Sequence, residues 1–278
     1  MAVYANLDFF EFEKQIDDGT IPFSLPDPPY LIDYKHWDKQ DVDFMYKWID
    51  VVVRKLTDTG SMWVFMAKDN LFTHKDCPKG LVNILQEFGT VHLSNWTTWA
   101  RQKGRGSSKH LKSQREELIH FTKDPKKFTW NPLKTLREVV TPYVKDGRPR
   151  GWFLDSDGMR KRWTGLGNVW VYSAPQFNGK VEKQWHPAQK PIMLLERLIR
   201  LSTNEGDMVL DPFAGSFSTA IACLLSKRNF IGCEKDSEYY DKGMLRIADF
   251  DFTQYTGYND KTDKEISIYM ENLKNAGL

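Results

Sequence analysis

Two short stretches of this chain carry residue types that could do chemistry together. The first is DPPY, Asp27-Pro28-Pro29-Tyr30, at the end of an apolar run. Proline fixes φ near about −65° and has no N–H to donate, so two in a row leave outward carbonyls on a stiff loop. Asp27 adds another acceptor and Tyr30 a flat face. Such a cup accepts hydrogen bonds from an –NH2 group and stacks on the ring that carries it. The exocyclic amine of a nucleobase fits. Its lone pair is delocalised into the ring. Acceptors on both N–H bonds localise that pair for in-line attack on a methyl sulfonium. An ordinary proline-rich loop also reads DPPY, so a second stretch has to support the reading.

That stretch is LDPFAGS (210–216), inside MVLDPFAGSFSTAIA. An apolar strand ends at Asp211, a tight turn follows, and a helix begins. Gly215 lets backbone approach a ligand closely, and a helix N-terminus offers free N–H groups. Asp211 stands where it could pair with a cationic end of that ligand. Further on, NFIGCE ends on Glu234. An acid ending the second strand commonly holds ribose hydroxyls in an open α/β sheet. The turn lacks G-x-G-x-x-G and the Walker lysine, so dinucleotide and triphosphate readings fall. A nucleoside cofactor remains, beside the alternative of an incidental glycine in a β-turn-α unit.

These stretches need elements to hold them. The patterns predict strands at 20–26, 61–67, 91–99 and 117–123, and helices over 41–56 and 79–89. Gly60 is expected to cap the first of these helices. Regular alternation returns with a helix over 189–203, Pro191 in its first turn, a strand at 206–211, a turn and helix over 213–227, a strand at 229–234 and a helix over 236–250. Asp236 or Ser237 is its expected cap. Strands alternating with helices imply a doubly wound, mainly parallel sheet. Pro22 and Pro26 predict local distortion before the cup.

The 278 residues are 41% apolar, enough for one large domain or one domain with an insertion. From 124 to 183 the alternation stops, with five prolines and many aromatics. Residues 101–163 hold 17 Lys/Arg against 7 Asp/Glu, whereas the rest of the chain holds 22 against 30. That local excess is the footprint of a phosphate-binding surface, although a solvated basic face gives the same count. The segment 101–115, RQKGRGSSKHLKSQR, reads as a mobile loop. Cys77, Cys223 and Cys233 are scattered, with no metal-ligand spacing. No leader and no membrane-length apolar run are found, so a cytoplasmic protein without a structural metal is expected.

With DPPY first, a basic middle, HPAQKP (186–191) and then LDPFAGS, the chain resembles the beta-class S-adenosylmethionine-dependent DNA amino-methyltransferases. Trp37-Asp38, GSMWVFM (60–66) and IGCEKDSEYY match in type and spacing. The resemblance implies a seven-stranded, Rossmann-like sheet with an inserted target-recognition region. It divides the chain into a catalytic half (1–123), the insert (124–183) and a cofactor half (184–278). DPPY is similar to members that methylate adenine N6. Cytosine N4 stays open, as does a relative that binds DNA with weakened catalysis.

Carried over by resemblance, Asp27 and the Pro28 carbonyl hold the target amine, on a loop stiffened by Pro29, and Tyr30 stacks on the flipped base. Asp211, Phe213, Gly215, Ser216 and Ser218 line the cofactor's methionine part, Glu234 its ribose, and Asp8 lies near its adenine. Lys190, with His186 and Gln189, is expected near its carboxylate. Phe217 stands where the family usually has glycine, so crowding of the turn is expected. Arg115-Glu116 or Glu116-Glu117 replaces a His-Glu pair thought to be structural. Duplex DNA is the implied partner; single-stranded DNA, a homodimer and a cognate restriction endonuclease are allowed. A base inside a duplex must be flipped out, at a cost of a few kcal/mol. Trp37, Arg101, Lys103, Arg105, Lys109, Arg148, Arg150, Arg160, Lys161 and Arg162 are the expected DNA contacts. For any one arginine a phosphate is a commoner partner than a base.

Overall fold

The computed structural model describes residues 1–30, 38, 43–67, 80–141, 143–155, 157–175, 182, 184–253, 255 and 260–275; side chains are left undescribed at a few positions, among them 102–107. The chain divides into two compact units: Met1–Thr129 with Asn168–Tyr255, and Trp130–Gly167 with Thr256–Leu278.

The first unit is built on an eight-stranded sheet. Its strands are β1 (Ala2–Ala5), β2 (Ile21–Ser24), β3 (Leu56–Met66), β4 (His92–Ser107), β5 (His110–Thr122), β11 (Val169–Val171), β12 (Met208–Asp211) and β13 (Asn229–Cys233). They lie in the order β1-β13-β12-β2-β3-β5-β4-β11. Only β3/β5 and β4/β5 pair antiparallel. The expectation of seven strands is therefore corrected to eight, in a mixed sheet. The extra pairings arise because the second half of the sheet closes through a hairpin and then accepts β11 on its outer edge, parallel to β4.

Helix α1 (Phe9–Phe12) follows β1, and α2 (Phe44–Lys55), α3 (Gly80–Phe88), α4 (Ile192–Ser202), α5 (Ser218–Leu225) and α6 (Ser237–Ala248) follow in chain order. Helix α2 packs Met45, Trp48, Ile49 and Val52 into a core with Met62 and Val64 of β3 and Ile119 and Phe121 of β5. Asp236 caps α6 by accepting from the Tyr239 N–H at 3.1 Å. Pro191 is the N-cap of α4, one position outside the first turn expected for it.

Three local expectations change. Gly60 does not cap α2, because strand β3 starts directly after Lys55 and Gly60 lies inside it. A Cβ there would sit 3.0 Å from the Thr57 backbone of the same strand and 3.1 Å from the Ile21 carbonyl of β2, so both the path of β3 and the approach of β2 favour glycine. The β2/β3 register shifts between Ile21 and Phe23, around Pro22, as the missing donor dictates. The segment 101–115 is not a loop: β4 and β5 continue through it as one long antiparallel hairpin, with irregular register beyond Ala100.

The second unit contains a three-stranded sheet ordered β6 (Lys134–Glu138), β10 (Arg160–Gly165), β9 (Phe153–Leu154). It also holds the hairpin β7/β8 (Val144–Lys145 and Arg148–Pro149) and helix α7 (Asp263–Asn275). Tyr269 of α7 packs edge-on against Trp163 and Phe153, with ring centroids 5.7 and 6.3 Å apart. The unit differs from the expected segment 124–183: residues 168–171 rejoin the main sheet, and the C-terminal helix, absent from the sequence expectations, belongs with the insert. Among the described residues no helix is long and apolar enough to cross a membrane. No cluster of three metal-ligating groups is found among them.

Candidate active site

Strands β2 and β12 are parallel neighbours, with Ser24 level with Leu210. The chain leaves β2 toward β3 on one side and leaves β12 toward β13 on the other. Their carboxyl ends thus flank the point where the winding reverses, where a crevice opens in doubly wound sheets. DPPY follows β2 and DPFAGS follows β12, so topology brings together two stretches 180 residues apart.

A cavity of about 750 Å³ lies there. All four residues of DPPY line it, and so do Asp8, His186, Gln189, Lys190, Asp211, Phe213, Gly215, Ser216, Ser218 and Glu234. Phe217 does not.

At the β12 side the polar groups are held by backbone. The Asp211 carboxylate accepts from the Phe213 N–H at 3.0 Å. Burial pushes its pKa up to about 7, against the pull of Thr219 and the Phe213 N–H. Glu234 accepts from the Gly215 N–H and the Asp236 N–H, each at 2.9 Å, and burial raises its carboxyl as well. Gly215 has φ +52°, and a Cβ there would meet the His186 ring at 3.2 Å. His186 accepts from the Ala188 N–H through Nδ1, which leaves the proton on Nε2. Burial, then Lys190 and Arg246, push its pKa down to about 4, so the ring is neutral at pH 7.

Arg246, unmarked in the sequence reading, braces the turn from behind. It donates to the Ser216 carbonyl at 2.7 Å and to Ser218 Oγ at 2.8 Å. Gln189 also serves the frame: its amide bonds the backbone of Glu182 and Gln184 at 2.8 and 2.9 Å. Asp8 caps α1 through the Phe10 N–H. The ring of Phe213 sits among Phe9, Phe44 and Trp48, each centroid 5.9 Å away.

Phe217 is a correction. It adopts φ +57°, which accounts for glycine in that position elsewhere in the family, yet its ring turns out of the turn and is fully buried. It packs on Tyr4, Phe230 and Tyr240 at 5.8–6.3 Å. Gly243 makes the room, since a Cβ there would lie 2.1 Å from the Phe217 ring. The ring crowds the helix behind, not the cavity.

At the β2 side the polar groups are held by side-chain charges. Lys190 Nζ lies 2.6 Å from Asp27 Oδ2 and 3.6 Å from Glu116 Oε2. Its ammonium also lies 5.3 Å from the Tyr30 ring centroid and 5.1 Å from that of Phe65. The Tyr30 hydroxyl reaches Asp27 Oδ1 at 3.0 Å and Glu116 Oε2 at 3.2 Å. Arg101 donates to Glu116 Oε1 at 3.0 Å. Burial lifts the Asp27 carboxyl, and Lys190 pulls it only part of the way back. Burial opposes the Lys190 charge, but Asp27 and Glu116 outweigh it and hold its pKa up.

Lys190 thus faces DPPY, because the HPAQKP turn ends against that loop. The sequence marks Glu116 only as part of a structural pair. Adjacent strand residues point to opposite faces. Glu117 bonds Trp96 and Thr98 across β4, and Glu116 enters the cup. Arg101, read as a DNA contact, lines the cavity too.

The remaining basic residues lie elsewhere. Lys109 is exposed in the β4/β5 turn; Lys103 and Arg105 are on β4, with undescribed side chains; Trp37 lies outside the described residues. Arg148, Arg150, Arg160 and Arg162 are exposed on the second unit, and Lys161 is half-buried beside Asp155 at 3.8 Å. Arg162 sits directly opposite the exposed Arg137 of β6.

Residues 23–245 match the N6/N4 methyltransferase family model, described as DNA methylase. The chain belongs to the N6/N4 DNA methylase family. It is 33% identical over 257 residues to the type II methyltransferase M1.MboII of Moraxella bovis, covering 85% of this chain and 92% of that protein. It is 31% identical to the DNA adenine methyltransferase YhdJ of Escherichia coli K12, covering 84% of this chain and 78% of that one. Its fold is similar to that of the M1.HpyAVI–SAM complex (TM-score 0.57, 23% identity, 88% and 100% coverage). It is similar also to the cytosine-N4-specific PvuII methyltransferase (TM-score 0.59, 19% identity, 88% and 86% coverage).

Proposed function

We propose that this N6/N4 DNA methylase transfers a methyl group from S-adenosylmethionine to the N6 amine of an adenine flipped out of DNA. The observation that carries the reading is the shared cavity: an amine-accepting cup and a glycine turn open into one space. When bound, S-adenosylmethionine supplies an electrophilic methyl on a sulfonium. The chain's residues do the rest by position and charge.

The fit to that cofactor rests on its donor and acceptor set. Glu234 has both oxygens on backbone N–H groups, and a carboxylate accepts about four hydrogen bonds, so ribose hydroxyls can be added. Asp211 offers an acceptor for a cationic end. Neutral His186 and the Phe213 ring wall the turn without adding charge. At the other end, Asp27 and the Pro28 carbonyl accept the two N–H bonds of the target amine, and Tyr30 stacks on its ring. The amine nitrogen would gain the methyl as the methyl–sulfur bond breaks with its electron pair on sulfur, leaving S-adenosylhomocysteine, and the amine would shed one proton to solvent.

Adenine is favoured over cytosine by DPPY and by the identity to an adenine-specific relative. The exposed arginines of the second unit are assigned to phosphate contacts with DNA. Arg162 opposite Arg137 supports this, because like charges directly across a sheet repel and an anion between them relieves the repulsion. A homodimer, a partner restriction endonuclease and a prokaryotic cytoplasmic setting belong to the same proposal.

The test is transfer of label from methyl-tritiated S-adenosylmethionine to mixed-sequence duplex and single-stranded DNA, followed by nucleoside analysis. Label in N6-methyladenine is expected. Label in N4-methylcytosine overturns the base assignment, and DNA without label overturns the activity.

A further inference from the structure

In this structure one ammonium occupies both positions that a flipped base requires. Lys190 Nζ is 2.6 Å from Asp27 Oδ2, where the target amine would be held. It also lies 5.3 Å from the centre of the Tyr30 ring, where the base would stack. Lys190 must therefore leave before substrate can enter. It is only 8% exposed, and withdrawing it altogether would strand the Asp27 carboxylate without a cation and leave Glu116 to Arg101 alone.

Glu116 offers a way out. Its Oε2 is already 3.6 Å from Nζ, so a movement of about 1 Å changes the ammonium's partner, the pair at Asp27 being 2.6 Å. Arg101 fixes the other Glu116 oxygen at 3.0 Å, which leaves Oε2 as the receiving atom. The Tyr30 hydroxyl lies within bonding distance of both acids but has one proton, so it donates to one of them at a time. With the ammonium on Glu116, that proton turns to Asp27 Oδ1 and leaves Oδ2 for the amine.

We infer that Glu116 is a positioning residue of the methyl-transfer site: it takes the Lys190 ammonium from Asp27 as the target base enters. The inference rests on the proposed function above. It makes Lys190 a resident stand-in for the substrate amine, and Glu116 the acid that removes it.

A double-mutant cycle on the full chain tests this, with Glu116→Gln, Lys190→Gln and the pair. It is read in two ways. One is the kcat and the KM for DNA in label transfer. The other is equilibrium affinity for adenine-containing, mixed-sequence DNA in the presence of S-adenosylhomocysteine, which involves no chemistry.

In the lysine background Glu116→Gln should weaken DNA affinity and raise KM about 10- to 100-fold, the scale of one charge-assisted hydrogen bond. Affinity for S-adenosylhomocysteine should stay at the wild-type value, and a melting curve checks that each variant is folded at the assay temperature. In the Lys190→Gln background the same substitution should change DNA affinity less than about twofold, because no ammonium remains to be moved. Additive effects, or no effect of Glu116→Gln in the lysine background, overturn the proposal. A wild-type protein that labels no DNA but keeps the coupling in affinity overturns the proposed function and leaves the handover standing.

Discussion

Two neighbouring strands each lead to an aspartate at their carboxyl ends, and the two acids are partnered in different ways. Asp211, the last residue of β12, is 3% exposed and is bonded by the Phe213 N–H. Asp27, after β2, keeps 22% of its side-chain surface and is paired with a side-chain ammonium. Backbone donors cannot move away; a lysine on four methylenes can. The β12 side is thus a fixed mould for a ligand that must be held in one orientation. The β2 side is an exchangeable site for a group that arrives and departs. The turn itself is braced by side chains: Gly215 bonds Glu234, and Ser216 and Ser218 bond Arg246, whereas Asp27, Tyr30 and Glu116 share the Tyr30 proton and the Lys190 ammonium.

The comparison breaks most visibly at Asp27. Asp27→Ala should lower the methyl-transfer rate about 100- to 1000-fold, the usual loss when one preorganised electrostatic group is removed. S-adenosylmethionine affinity by calorimetry should stay within about twofold, since the fixed half is untouched. A loss of both would mean that the halves are not separable.

Asp211→Asn should do the reverse and weaken S-adenosylmethionine about 10- to 100-fold, the range for a hydrogen bond to a charged group. The pH dependence sharpens this. Burial holds Asp211 near 7 in the free protein, so below that pH it carries a proton that a cationic ligand must expel. Affinity should therefore rise about tenfold per unit from pH 5.5 toward 7 and level off above it. The Asn variant should lose that slope in the same titration.

Much of this site was legible because its residues are contiguous. DPPY and DPFAGS announce themselves within seven residues, and the strands before them are apolar runs that a pattern can find. Glu116 was not legible: two acids stand side by side, and only the β4/β5 register decides which one enters the cup. Arg246 lies 30 residues from the serine it braces, with nothing local to mark it. The long hairpin was hidden by its own polarity. Residues 101–115 are rich in Lys, Arg, Gly and Ser, and cross-strand pairing overrides their weak strand preference. The eighth strand is three residues long, too short to show a period.

Phe217 separates cofactor binding from stability. Its positive φ costs about 1–2 kcal/mol, and its buried ring returns more than that. Phe217→Gly should lower stability by about 2 kcal/mol in urea unfolding, from losing the ring that fills the space above Gly243. S-adenosylmethionine affinity should change less than about threefold. A large loss of affinity with unchanged stability would return Phe217 to the cofactor turn.

The smallest effect is expected in the second unit, where each proposed phosphate contact would add a small share. Arg162→Ala should weaken DNA binding evenly across sequences and reduce the slope of log affinity against log salt by about 1. Fluorescence anisotropy at several salt concentrations checks it. An unchanged slope would place Arg162 on a base edge or off the DNA.

The central claim is that one cavity holds the donor and the acceptor of a methyl group. A crystal structure with S-adenosylhomocysteine bound tests it most directly. The account predicts ribose hydroxyls on Glu234 and the sulfur facing the Asp27–Tyr30 cup, with space for a methyl and an amine in line between them. A ligand bound with its sulfur turned away from Asp27, or with its ribose off Glu234, would contradict it.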